Sequence, residues 1–268
     1  PSGAVTSGSC NSDANCRAGR TLEAVVKKYT PPSFFDKAIY SADEVDLNGN
    51  SYVVNGDVIY ANTVSDTDHV TGSVEEDPSI APLAQLDWSK LREVAAGQTH
   101  VDAHGNVKDN VYDASDLREV QRGDDNYPSD FWYHAPSDPS KSPGTDGYDG
   151  EPNVVYVEGD MVLNGNVGTI GGFFLVVGDV LTDPTDSSDT SINGVGTVNG
   201  SIYSSGNFKI NGGAGGINVD GGVWAGQEAE LNGNSTVSFN EYYMDAIEFL
   251  VESNGAGSVV QILSWREV

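Results

Sequence analysis

The chain has 268 residues, with 13 Lys and Arg against 40 Asp and Glu and a formal net charge of −27. Proteins that bind nucleic acid or anionic lipid do so with clustered cations, so this balance argues against both partners. Glycine is in excess, at 32 residues or about 12% against a typical 7% or so, and backbone corners are its natural explanation. Hydrophobic content is only 38%, yet apolar residues recur with a clear period, so the chain reads as folded, acidic and turn-rich.

Residues 1–30 form an N-terminal segment. Cys10 and Cys16 are the two cysteines of the chain. The short polar loop between them can be closed by a disulfide in an oxidising compartment, whereas two cysteines without a nearby histidine do not complete a tetrahedral zinc site. No stretch approaches the roughly 18 to 20 apolar residues of a membrane span. The opening Pro1, Ser2, Gly3 leads us to expect a mature or truncated product whose leader or anchor lies upstream.

From residue 31 onward a broken repeat emerges. An apolar residue followed by Asn and Gly occurs at Leu47, Leu163, Ile192, Ile210 and Leu231, and the last four are 29, 18 and 21 residues apart. Most are followed by a second glycine corner and a short apolar strand, as at Gly56 to Tyr60, Gly178 to Leu181, Gly200 to Tyr203 and Gly221 to Trp224. Asn-Gly supplies positive φ cheaply, so each pair marks a tight corner. Two corners and short strands in units of about 20 residues predict a mainly β fold, a single-stranded, right-handed β-helix (β-solenoid). Val58, Val180, Ile202 and Val223 would then share an interior column. A β-sandwich built of hairpins is the alternative.

The expected organisation is a first coil region over 31–64, an acidic insertion over 65–152, the main coils over 153–240, and a C-terminal cap helix and strand over 241–268. The insertion should hold two short helices. One runs from Trp88 to Ala96 with Asp87 as N-cap and Gly97 just past its end, and the other from Ser115 to Gln121. Asn240 should cap a helix over Glu241 to Val251 that closes the open end of the solenoid, followed by a strand from Ser258 to Trp265.

The segment Pro31 to Ser41, with Val45 to Asn50 and Asn55 to Val58, resembles bacterial PilX-type pilus-assembly proteins. In these, a type IV prepilin-like N-terminus precedes a glycine-rich, β-helical region that also looks like the polymer-forming bactofilins. Arg20 to Val26 looks like the strand leading into that region, and the helix after Asp87, the Val154 to Asn166 strand pair and the ending Leu263 to Glu267 also fit. The hydrophobic pilin helix is absent from this chain. The resemblance implies a bacterial, extracellular, non-enzymatic protein, a minor pilin or pilus-tip head domain. Its partners would be pilin or filament subunits or a surface glycan, with self-assembly as a further expectation.

Residues that could carry chemistry fall in the loops. Asp183, Asp186 and Asp189 share one loop, and Asp146, Asp149 and Glu151 cluster near two glycines. Hard cations such as Ca²⁺ take six to eight oxygen ligands, which such clusters could offer, although solvated acidic loops are the simpler reading. Tyr127, Phe131, Trp132 and Tyr133 would suit stacking on sugar rings or a protein interface if exposed, and packing on the coils otherwise. His100 and His104 have the i, i+4 spacing of metal ligands, but Gly105 and Asn106 after them read as a turn. No nucleophile elbow, Walker loop or dinucleotide fingerprint is found. A calcium-dependent carbohydrate-binding module and a polysaccharide-acting β-helix enzyme stand as alternatives. Against the enzyme, residues 153–268 hold only Lys209 and Arg266 as cations for an acidic substrate.

Overall fold

The computed structural model describes residues 22–28, 34–49, 51–80, 86–101, 105–113, 127–178, 187–254 and 260–267. The chain is mainly β and is organised around a long parallel sheet, consistent with the solenoid expectation. Its centre is four strands, Met161–Val176, Thr190–Ser204, Phe208–Ala225 and Ala229–Phe239, each paired in parallel with the next. All five apolar-Asn pairs fall into one register: Leu163 lies opposite Ile192, then Ile210, Leu231 and Leu47, and the asparagines follow them.

These strands bend at their glycines. Gly200 has φ +121 and Gly221 φ +154, and a Cβ at either would stand 2.1 Å from the Gly172 carbonyl oxygen or 1.8 Å from that of Gly200. Positive φ and close backbone stacking thus coincide, and only glycine satisfies both. Between bends, alternate residues point inward. Leu163, Ile170 and Phe174 of one strand join Ile192, Val198 and Ile202 of the next in a single buried cluster. That cluster is removed from water by rung-on-rung packing, at roughly 25 cal/mol per Å² of apolar surface.

Rung order departs from chain order. Glu44–Asn48 and Val53–Asn55 pair in parallel with Ala229–Phe239, and Ile39–Ser41 with Phe208–Ala225, so the N-terminal coil lies beyond the last main strand. Beyond it come Thr63–Ser65 and Val74–Glu76, with a bridge from Val54 to Val70, so coil pairing continues past residue 64 as far as Glu76. At the opposite end Val154–Glu158 pairs with Phe173–Val176, and Val111–Asp113 pairs with it in turn.

Two expectations are corrected. The C-terminal helix, α2 (Glu241–Ser253), does not close the end of the stack, because the N-terminal coil supplies edge hydrogen bonds there that a helix could not. Instead α2 lies along the flank with α1 (Trp88–Gly97), and together they bury the outward side chains Tyr40, Phe173, Leu175, Tyr203 and Trp224. Ile202, Val223, Ile39 and Val58 do form one inward column, but Phe174 takes the place expected of Val180, which lies outside the described residues. The surplus of the 29-residue spacing is inserted after Val176 and not between the two corners, so Gly171 and Gly172, not Gly178, match Asn199 and Gly200.

Both helices are N-capped as their sequences predict, whereas Gly97, expected just past the end of α1, is its last residue and Gln98 takes the C-cap position, its N–H donating to the Val94 and Ala95 carbonyls. Lys90 N–H donates to Asp87 Oδ1 at 3.1 Å, and Tyr243 N–H to Asn240 Oδ1 at 3.4 Å. The helix expected over Ser115 to Gln121 lies outside the described residues. Leu22–Lys28 pairs antiparallel with Val260–Glu267, Leu22 opposite Glu267 and Lys28 opposite Val260, so the lead-in strand meets the C-terminal strand in a sheet of its own.

Candidate functional site

The outer surface of the stack is built from polar ladders. Asn193 donates to Asn164 Oδ1 at 2.9 Å, Asn211 to Asn193 at 2.7 Å and Asn232 to Asn211 at 3.2 Å, so each rung is tied to the next by a side-chain amide. Nearby, Lys209 pairs with Glu230, and Asp189 accepts from Asn207 N–H at 2.7 Å. Glu228 lies half-buried beside Glu230, Glu44 and Asp46. Its carboxyl is pushed above the ordinary value by burial first and by these neighbouring charges second.

Where the insertion meets the stack, the four aromatic residues divide. Tyr127 is buried, its ring 4.6 Å from Tyr112 and 6.0 Å from Phe174 of the inner core. Phe131 is also buried, 4.2 Å from Tyr243 of α2. These two anchor the segment. Trp132 and Tyr133 are half-buried, and Trp132 also packs on Phe131 and Tyr242. Together with Thr99, His100, Ser129, Asp130 and Asn153 they line a pocket of about 320 Å³.

Beneath the pocket runs a buried amide network. Gln98, Asn110 and Asn153 are 1%, 0% and 5% exposed. Gln98 Nε2 donates to Glu151 and to the Pro152 carbonyl, and its Oε1 accepts from Val154 N–H at 2.7 Å. Asn110 Nδ2 donates to Gln98 Oε1 and Asn153 Oδ1, while Asn153 Nδ2 donates to the Asp130 carbonyl at 2.8 Å. His100 completes it: Nδ1 lies 2.9 Å from Asn110 Oδ1 and Nε2 3.3 Å from the Tyr112 hydroxyl, which the tautomer with its proton on Nδ1 satisfies on both sides. Such a network holds the pocket wall in one arrangement, because leaving any member unpaired costs about 1–3 kcal/mol.

Asp146, Asp149 and Glu151 are each engaged separately. Asp149 accepts from Ser137 N–H at 2.8 Å and from the Ser137 hydroxyl at 2.6 Å, donations that hold its carboxyl below the ordinary value. Glu151 accepts from Gln98, and Asp146 contributes its backbone carbonyl to Lys141. Asp189 serves the stack corner at Asn207. Among the described residues no three acidic, histidine or cysteine side chains converge as metal ligands. Asp183, Asp186, His104, Cys10 and Cys16 lie outside the described residues. His69 packs its ring on Tyr52 and His134 its ring on Tyr133. Among the described residues no helix is long and apolar enough to cross a membrane. Gln98, Asn110 and Asn153 were not marked by any motif, since isolated amides between strands carry no spacing signal.

No protein-family model and no curated protein matches the chain. Among solved structures, an ice-binding protein from the Antarctic ascomycete Antarctomyces psychrotrophicus is 13% identical, with a TM-score of 0.28, and the match covers 76% of this chain and 94% of that one. An ice-binding protein from an Antarctic bacterium, Flavobacteriaceae, is 12% identical, with a TM-score of 0.29. That match covers 79% of this chain and spans about half, 49%, of the bacterial one. Similarity at this level leaves the functional reading to rest on the residues of this chain.

Proposed function

We propose that this chain is a non-enzymatic, extracellular structural and adhesive protein, a β-helical head associated with a type IV pilus or a related filament. One observation carries the structural reading: the polar side chains of the stack are engaged with one another from rung to rung. The asparagine ladder, the Lys209–Glu230 pair and the Asp189–Asn207 contact stiffen a rod and do not converge on a reacting centre. The acidic exterior keeps such a rod soluble outside the cell. Pilus association draws on the resemblance of residues 31–58 and of Leu263 to Glu267.

Filaments sheared from the native cell test this reading, with the chain followed by antibody in the filament, membrane and soluble fractions. The reading predicts the chain in the filament fraction, in amounts well below the major subunit. A chain confined to the cytoplasm, or released to the medium with no filament bound, contradicts it.

A further inference from the structure

We infer that the pocket between the strand Thr99–Val101 and the segment Tyr127–Tyr133 is a binding site for a neutral saccharide, taken up without a metal ion. The inference deepens the adhesive reading by naming what the head would hold, and it rests on that reading only for its biological setting. Size is the first consideration. A volume of about 320 Å³ lies at the small end of ligand pockets, room for one or two sugar rings and not for a long chain. The lining is the second. Trp132 and Tyr133 offer aromatic surface to the C–H patches of a sugar ring, while Thr99, Ser129 and Asp130 bring hydroxyl and carboxylate groups to the lining.

Charge selects within that class. Among the described residues the lining holds the acidic Asp130 and no Lys or Arg, so uronates, sialic acids and phosphorylated sugars find no cation there to pair them. Rigidity is the last consideration. The Asp130 carbonyl is held by Asn153, Asn153 by Asn110, and the neighbouring Tyr127 packs on Phe174 in the core of the stack. The lining is therefore fixed before a ligand arrives, which lowers the ordering cost of binding.

The test uses the full chain in buffer containing a chelator, a panel of neutral and anionic mono- and disaccharides, and calorimetry with Trp fluorescence as the readout. At least one neutral sugar should bind, with no loss on chelation. Asp130→Ala should weaken it about tenfold or more, the scale of a lost hydrogen bond to a charged group. Ser129→Trp, at an exposed position, should abolish binding by filling the pocket while the thermal midpoint is kept. Because Trp132 also packs on Phe131 and Tyr242, Trp132→Ala can disturb folding, and Ser129→Trp decides in its place. Failure of every neutral sugar, preference for anionic ones, or binding unchanged in both Asp130→Ala and Ser129→Trp overturns the inference. The filament fractionation is independent of these outcomes: a chain that rides on filaments but binds no sugar keeps the structural reading and loses this one.

Discussion

The stack and the insertion solve the same problem, burying enough apolar surface to hold an acidic chain together, in opposite ways. In the stack one solution is repeated: Leu163, Ile192, Ile210, Leu231 and Leu47 occupy equivalent inward positions, and the asparagines beside the first four form one ladder. In the insertion every contact occurs once. Trp88 meets Tyr203, Phe131 meets Tyr243, Tyr148 meets Phe249, and three unrelated amides share one buried network. Repetition gives stiffness and redundancy, whereas a set of single contacts gives shape, and the pocket is found on that side of the division.

The largest effects should come where the repeat admits no substitute. Gly200→Val would place side-chain atoms on the Gly172 carbonyl at a backbone angle of φ +121, a loss of about 3 kcal/mol or more that circular dichroism and soluble yield would register. If Gly200→Val folds with an unchanged midpoint, the close stacking of the two rungs is wrong. Trp224→Ala follows. The indole is 1% exposed beneath the helices, within 4.4 Å of Tyr40 and 5.0 Å of Tyr203, and its removal should cost about 3–5 kcal/mol in denaturant unfolding.

Smaller effects separate the two regions more finely. Asn110→Ala strands buried partners at Gln98, Asn153 and His100 and should cost about 1–3 kcal/mol. It should also loosen the pocket lining, so that any pocket ligand binds more weakly, an outcome the ladder substitutions should not share. Asn193→Ala and Asn211→Ala, each with a neighbour above and below, should cost about 1 kcal/mol apiece, Asn193→Ala the more because its amide also donates to Ser191 Oγ at 3.1 Å. No cost at either position would break the claim that the ladder ties the rungs together.

The smallest effect is electrostatic. Because the folded carboxyl of Glu228 sits above its unfolded value, the fold prefers the protonated form, and the ionised form opposes folding once the pH rises through that raised value. Glu228→Gln should therefore raise the thermal midpoint by about 1 °C at pH 7 and by nothing at acid pH, where the native side chain is already neutral. Asp149 works with the opposite sign: held low by Ser137, it favours the fold above the ordinary carboxylate value and ceases to do so as pH falls through the depressed one. Asp149→Asn should thus destabilise at pH 7 and lose its effect in acid.

The same division explains what could be read from the sequence. The Asn-Gly corners were legible because a positive-φ requirement leaves a residue signature, and Leu47 to Leu231 duly align. Phase within a unit was less legible. Gly178, Asp179 and Val180 have the composition of a corner, but the inward column is taken by Phe174, since loop residues inserted after Val176 leave no mark on the pattern. Rung order was not legible at all: a periodicity says that coils stack and not which coil meets which. The pocket stood furthest from view. The aromatic residues Trp132 and Tyr133 stood out in the sequence, while Asn110 and Asn153, isolated polar residues flanking strands, acquire their role only through contacts 43 residues apart.

Rung order is also where the account is most exposed to a single measurement. With Cys10 and Cys16 replaced by serine, cysteine pairs at 48 and 232 and at 48 and 164 can be compared by crosslinking with a short bismaleimide. The stack places Asn48 beside Asn232 and puts four strand spacings, about 19 Å, between Asn48 and Asn164. A stack that follows chain order, with the Thr63–Ser65 rung next to Asn48, would instead bring Asn48 nearer to Asn164 than to Asn232. Efficient closure of the 48–232 pair with none of the 48–164 pair is the predicted result, and the reverse pattern would contradict the arrangement on which the rest of the account is built.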